Sequence, residues 1–185
     1  MPLNIPNILT VIRILIIPVF VISLLRNMYL FALLMFIVAG ISDGLDGLIA
    51  RYFNQHTVLG AYLDPIADKM LLMSAYVSLA LLQIIPEWLT VIVISRDLLI
   101  VIGIVVFKLN DISFAIKPTI DSKWNTVAQL ATVCLALLGT EFFEAGLFMT
   151  ILFWFTAAIT VYSGLHYIYI GLNIVQSSAN NKPGI

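Results

Sequence analysis

Charge, cysteine and histidine are what this chain has least of, and each scarcity excludes something. Asp, Glu, Lys and Arg together make up 10% of its 185 residues, against about 25% in an ordinary soluble domain. The formal net charge of −1 leaves no basic footprint for phosphate contacts, which excludes nucleic acid as a partner. The single cysteine, Cys134, sits in an apolar run, so neither a disulfide framework nor a thiolate metal site is available. The two histidines, His56 and His166, stand alone and are read as satisfied polar groups. No cationic start precedes the first apolar run, and Arg13 interrupts it where a signal peptide has its uncharged core. That segment is expected to be retained. There is no internal repeat and no low-complexity tract.

What is abundant is apolar side chain. Hydrophobic residues make up 62% of the chain and the mean hydropathy is +1.08, which predicts an integral membrane protein. At ~20 residues per span, the length holds six helices and short connections, with no separate soluble domain. Residues 1–185 therefore read as one all-α, polytopic unit of six transmembrane helices. Apolar windows fall at Asn7–Leu25, Tyr29–Ala50, Gly60–Ile85, Glu87–Phe107, Lys123–Gly139 and Gly146–Leu172. Pro2–Pro6 is expected to run along the membrane surface, Pro18 to bend the first helix, and Trp88, Trp124 and Trp154 to mark interfaces or packing. Arg51, Lys108, Lys117, Lys123 and Lys182 fall on one side of the membrane; Arg26 alone falls on the other, beside Glu87, Glu141 and Glu144. Short loops rich in Lys and Arg stay cytoplasmic. Both termini and the 51–59 loop are accordingly expected there.

Against this background one acidic concentration stands out. Asp43, Asp46, Asp64 and Asp68 gather at the cytoplasmic ends of the second and third helices, and charges at membrane depth are costly and functional by default. At about 100° per residue, Asp43, Asp46, Gly47 and Ala50 form one stripe, and Gly60, Asp64 and Asp68 another. Four crowded carboxylates repel and take up protons unless cations neutralise them. The nearby cations are Arg51 and Lys69, so one or two divalent ions are the natural remedy, and all-oxygen ligation favours Mg²⁺, Mn²⁺ or Ca²⁺ over Zn²⁺. Helix capping explains Asp43 and Asp46 badly, since the macrodipole disfavours negative charge at a C-terminal end. Gly47, Ala50 and Gly60 remove bulk beside the acids and let a flat or charged ligand reach the backbone.

The run Asp43-Gly44-Leu45-Asp46-Gly47-Leu48-Ile49-Ala50-Arg51, followed after eight residues by Gly60 and then by Asp64 and Asp68 at intervals of four, resembles the signature of the CDP-alcohol phosphatidyltransferases at all eight defining positions. The resemblance implies transfer of a phosphatidyl group from a CDP-linked lipid, CDP-diacylglycerol, to a glycerol-based acceptor, with release of CMP. It implies a two-metal centre of Mg²⁺ or Mn²⁺ on Asp43, Asp46, Asp64 and Asp68. It further implies that Gly47, Ala50, Arg51 and Gly60 surround the cytidine diphosphate, that Asp68 is the catalytic base, and that the protein is a homodimer. The expected setting is a bacterial cytoplasmic or mitochondrial inner membrane, with the site on the cytoplasmic or matrix side.

The flanks look like the branch that uses glycerol-based acceptors: Asn4-Ile5-Pro6-Asn7-Ile8-Leu9-Thr10 with Arg13, Leu63-Asp64-Pro65-Ile66-Ala67-Asp68-Lys69, and Ser95-Arg96-Asp97. Both phosphatidylglycerolphosphate synthases and single-motif cardiolipin synthases share these. In Ser122-Lys123-Trp124-Asn125-Thr126, Asn125 stands where the former tend to carry a second lysine, so the resemblance leans towards phosphatidylglycerol as acceptor, with glycerol 3-phosphate as the alternative. Arg13, Arg96 and Lys123, with Asn125, are expected to form the region that meets the acceptor's phosphate; for Arg13 the alternative is snorkelling to the interface. A divalent-cation transporter would also need intramembrane acids. Here the acids stop at one face, and a non-catalytic scaffold would not need them.

Overall fold

The computed structural model describes the backbone of residues 5–53, 58–109, 120–142 and 146–180. Side chains are described for 12–42, 69–103, 106, 120–141, 146–174 and 176. The described residues form six helices and no strand: α1 (Ile5–Leu25), α2 (Tyr29–Phe53), α3 (Val58–Leu81), α4 (Glu87–Leu109), α5 (Ile120–Phe142) and α6 (Gly146–Asn180). Residues 1–4 lie outside the description. Pro6, expected on the membrane surface, instead falls in the first turn of α1, where its missing N–H costs no hydrogen bond.

The sharpest departure from the apolar windows is the end of α3. Hydropathy carries that helix to Ile85, yet it stops at Leu81. Gln83 takes a left-handed conformation (φ 57°), its N–H donates to the Ala80 carbonyl, and Ile84 N–H donates to the Leu79 carbonyl, both at 2.9 Å. This is a Schellman closure, which satisfies carbonyls the helix end would orphan. The α1–α2 turn closes in the same way on Asn27 (φ 58°), with Asn27 N–H to Leu24 O and Met28 N–H to Ser23 O. Pro86 cannot continue a helix but can start one. Its carbonyl accepts from Leu89 and Thr90 at the head of α4.

Pairings along the chain set the topology. Lys69 and Tyr76 of α3 meet Asp97 and Thr90 of α4, so the two run antiparallel. Asp121 and Thr132 of α5 meet His166 and Thr156 of α6, again antiparallel. Trp88 and Arg96 of α4 meet Trp154 and Ser163 of α6, so α4 and α6 run parallel. The helix α1 packs on α2 and α3, and α2 also touches α3 and α5.

Polarity is arranged inside out. Leu15, Leu34, Leu81, Leu147, Phe155 and Leu172 are exposed, while Arg13, Arg96, Asp97, Asn125, Gln129 and Thr160 are buried. The apolar core beneath them joins α1 through α6, with Phe20 and Phe36 rings 5.6 Å apart. Among the described residues, Gly146–Ile174 is the one stretch long and apolar enough to cross a membrane on length and composition; Ile12–Leu25, Tyr29–Ser42 and Lys69–Leu81 are shorter apolar stretches.

Candidate functional site

A chain of charges crosses the middle of the bundle. Lys69, the residue after Asp68 on α3, places Nζ 2.7 Å from Asp97 Oδ2 on α4. The other carboxylate oxygen of Asp97 accepts from Arg96 Nη1 at 2.8 Å. Neighbours one apart on a helix do not normally face each other, but the length of the arginine lets its guanidinium fold back. Its Nη2 then donates to Ser122 Oγ of α5 (2.9 Å) and Ser163 Oγ of α6 (2.8 Å). The Tyr167 ring lies 5.6 Å from the guanidinium carbon, within cation–π range. Arg96 and Asp97 are 3% and 4% exposed, so the ion pair is dry. This network ties the segment of α3 just past the acidic stripe to three other helices.

Beside it runs a neutral seam. Ser122, Asn125, Gln129 and Thr132 share a stripe of α5. Thr160 Oγ1 of α6 lies 2.7 Å from both Asn125 Oδ1 and the Thr156 carbonyl oxygen, and a hydroxyl has one proton to give. Thr156 and Thr132 hydroxyls pair at 2.7 Å, and Tyr76 donates to the Gln129 carbonyl at 3.3 Å. Asn125 and Gln129 are fully buried. Among the described residues, Asn125 Nδ2 and both amide atoms of Gln129 have no hydrogen-bond partner.

The expected site residues are distributed as follows. Asp43, Asp46, Gly47, Ala50 and Arg51 fall within α2, and Gly60, Asp64 and Asp68 within α3; their side chains lie outside the described residues. Arg13 is fully buried in α1. Arg96 and Asn125 meet the same helix, α6, through Ser163 and Thr160. Lys123 is exposed, as is its neighbour Trp124. Two positions, or about 200°, separate Lys123 from buried Asn125, so the lysine does not share the face on which Arg96 and Asn125 gather.

Asp97, Ser163 and Thr160 were not expected as site groups, and Lys69 was expected only as a cation beside the acids. Asp97 and Lys69 carried a signal, being charges in apolar windows. Ser163 and Thr160 carried none, since their partners are 67 and 35 residues away. His166, given no role, pairs through Nδ1 with Asp121 Oδ2 at 2.5 Å, joining the start of α5 to α6. His56 lies outside the described residues.

The helices whose sequence carries the acidic stripes, α2 and α3, touch, and the charge network through Arg96 and Asp97 reaches Lys69, one residue past the second stripe. The family model for CDP-alcohol phosphatidyltransferase matches residues 3–162, and the chain belongs to that family. Among similar proteins, human cardiolipin synthase (CMP-forming) is 35% identical across 95% of this chain and 64% of its own length. The rice chloroplastic CDP-diacylglycerol–glycerol-3-phosphate 3-phosphatidyltransferase 1 is 33% identical across 89% of this chain and 56% of its own. A probable phosphatidylglycerophosphate synthase of Mycobacterium tuberculosis is 35% identical across 73% and 66%. The chain thus spans less than two thirds of the length of the first two, 64% of one and 56% of the other.

Proposed function

We propose that this chain transfers the phosphatidyl group of CDP-diacylglycerol to phosphatidylglycerol, forming cardiolipin and CMP. The acceptor hydroxyl oxygen attacks the phosphatidyl phosphorus, the bond from that phosphorus to the bridging oxygen breaks, and CMP departs with it. Asp68 takes the hydroxyl proton. Gly47, Ala50 and Gly60 leave room for the cytidine diphosphate, and Arg51 offsets its charge. Asp43, Asp46, Asp64 and Asp68 suit Mg²⁺ or Mn²⁺, because the donor set is all carboxylate and its two stripes lie on helices that touch. Bound there, a divalent ion supplies the positive charge that neutralises the diphosphate and the leaving CMP oxygen. On this reading the six helices cross a bacterial cytoplasmic or mitochondrial inner membrane, with both termini and the site on the cytoplasmic or matrix side. The protein acts as a single domain and as a homodimer.

The choice of acceptor rests on Asn125, which is fully buried and held by Thr160. That position adds no cation to the acceptor region, and Lys123 is turned away from it. A phosphomonoester carries about −1.5 to −2 charges near pH 7, whereas the phosphodiester of phosphatidylglycerol carries one. Arg96, already neutralised in part by Asp97, matches the smaller charge. The rice and mycobacterial relatives favour glycerol 3-phosphate as the second reading. The cation-transporter alternative finds no support among the relatives.

Purified protein given labelled CDP-diacylglycerol, Mg²⁺ or Mn²⁺, and either acceptor decides between them. Cardiolipin is the expected product. Phosphatidylglycerolphosphate formed readily with no cardiolipin overturns the acceptor assignment, and no metal-dependent transfer to either acceptor overturns the function.

A further inference from the structure

A cleft of about 260 Å³ opens between α4 and α6. Val91, Ile92 and Leu99 of α4 and Val161, Leu165 and Ile168 of α6 form its apolar walls, and Ser95, Arg96 and Thr160 supply its polar groups. From Val91 to Leu99 it runs ~12 Å along the helices. Gly164 also lines it. A Cβ there would meet Arg96 Cγ at 3.4 Å, so the absent side chain leaves space beside the arginine.

Three observations narrow the occupant. The walls offer hydrocarbon contact and almost nothing to a soluble sugar phosphate. Among the described lining residues Arg96 is the one charge, and its Nε is buried without a hydrogen-bond partner, which leaves a donor for an anion. Arg96 stands partway along the cleft, with about 7.5 Å of it between Arg96 and Val91, and its neighbour Asp97 binds Lys69, next to Asp68. An occupant must therefore combine one anionic group near Arg96 with a long apolar tail. We propose that the α4–α6 cleft seats an acyl chain of the acceptor phospholipid, with its phosphodiester drawn to Arg96. This rests on phosphatidylglycerol, rather than glycerol 3-phosphate, being the acceptor.

Two experiments test it. Phosphatidylglycerol with a diazirine in one acyl chain, photolysed on the full-length protein in vesicles of phosphatidylcholine, should label peptides bearing Val91, Ile92 or Val161, which lie on the side of Arg96 away from the cytoplasmic helix ends. Unlabelled phosphatidylglycerol should compete and further phosphatidylcholine should not. Labelling spread over all exposed helix faces, or displaced equally by both lipids, overturns the proposal, whichever acceptor the enzyme uses. In the second, Val161→Trp fills the cleft from its exposed edge. The ratio of kcat/KM for long-chain over dihexanoyl phosphatidylglycerol should fall roughly tenfold, the effect of excluding about two methylenes, while Leu147→Trp, at an exposed position outside the cleft, should leave that ratio unchanged. Equal losses for long and short chains, or equal effects of both tryptophans, reject the cleft as a chain site. Wild-type protein that transfers only to glycerol 3-phosphate would sink the acceptor reading instead, with the labelling pattern still deciding what the cleft binds.

Discussion

Replacing Asp97 by asparagine keeps the shape of the side chain and removes the one negative charge that Lys69 and Arg96 share. Arg96 is 3% exposed, and after the change only the serine hydroxyls and the Tyr167 ring remain against its charge on the contacts described above. Removing one partner of a buried pair costs about 3–5 kcal/mol, and the retained amide oxygen can still accept one hydrogen bond from a cation. The Lys69 side chain is 32% exposed, so it can turn away, and its share of the loss is discounted accordingly. A net destabilisation near the lower bound, about 3 kcal/mol, is expected, equivalent to about 6–12 °C in Tm for a chain of this size. Thermal unfolding in detergent, followed by the monodisperse fraction on size exclusion, measures it. The double variant Arg96→Met/Asp97→Asn should be no less stable than Asp97→Asn, because the stranded cation goes with its partner, giving a coupling of at least about 2 kcal/mol. A Tm loss below about 2 °C for Asp97→Asn, or losses that simply add in the double variant, would refute the buried-pair argument.

Asp64→Asn changes charge and almost no volume, so turnover with Mg²⁺ or Mn²⁺ should collapse while the protein stays folded; full activity of the folded variant in chelator would sink the metal centre. Asp68→Asn should slow single-turnover transfer more than it weakens CDP-diacylglycerol binding, and Gly60→Leu should do the reverse. Identical behaviour of the two variants would remove that division of labour. Asn125→Lys should raise use of glycerol 3-phosphate relative to phosphatidylglycerol, measured as the ratio of the two lipid products. An unchanged ratio in a folded variant means that position 125 does not read the acceptor's charge.

The helices were legible because their apolar windows are long and their breaks are polar, and the order α1 to α6 follows from them. Boundaries failed where the backbone rather than hydropathy decides. Gln83-Ile84-Ile85 is apolar enough to continue α3, but the left-handed Gln83 closes the helix with Leu79 and Ala80, and glutamine carries no signal for that conformation. Likewise α6 runs on to Asn180, past Leu172 where hydropathy ends it, because a helix needs no apolar side chains to continue. Asp43, Asp46, Asp64 and Asp68 are grouped by spacing alone, and their side chains lie outside the described residues. The seats of Arg96 and Asn125 were not, because Ser163 and Thr160 become their neighbours only when α4, α5 and α6 have packed.

That packing leaves a question the stability argument alone cannot answer, namely why a helix bundle with an apolar exterior buries Arg96 and Asp97 at all. A buried pair replaced by apolar residues of similar volume is often as stable or more so, so stability gives no reason to keep it. Orientation does. Arg96 spends Nη1 on Asp97 and Nη2 on Ser122 and Ser163, which fixes the guanidinium plane and leaves Nε as the donor not yet committed. Asp97 spends its second oxygen on Lys69, one residue from the proposed base. The same carboxylate thus holds the cation proposed to meet the acceptor and braces the helix that carries Asp68. Preorganising the guanidinium of Arg96 costs nothing further at the moment of reaction, which is a return that an apolar pair of equal stability would not give.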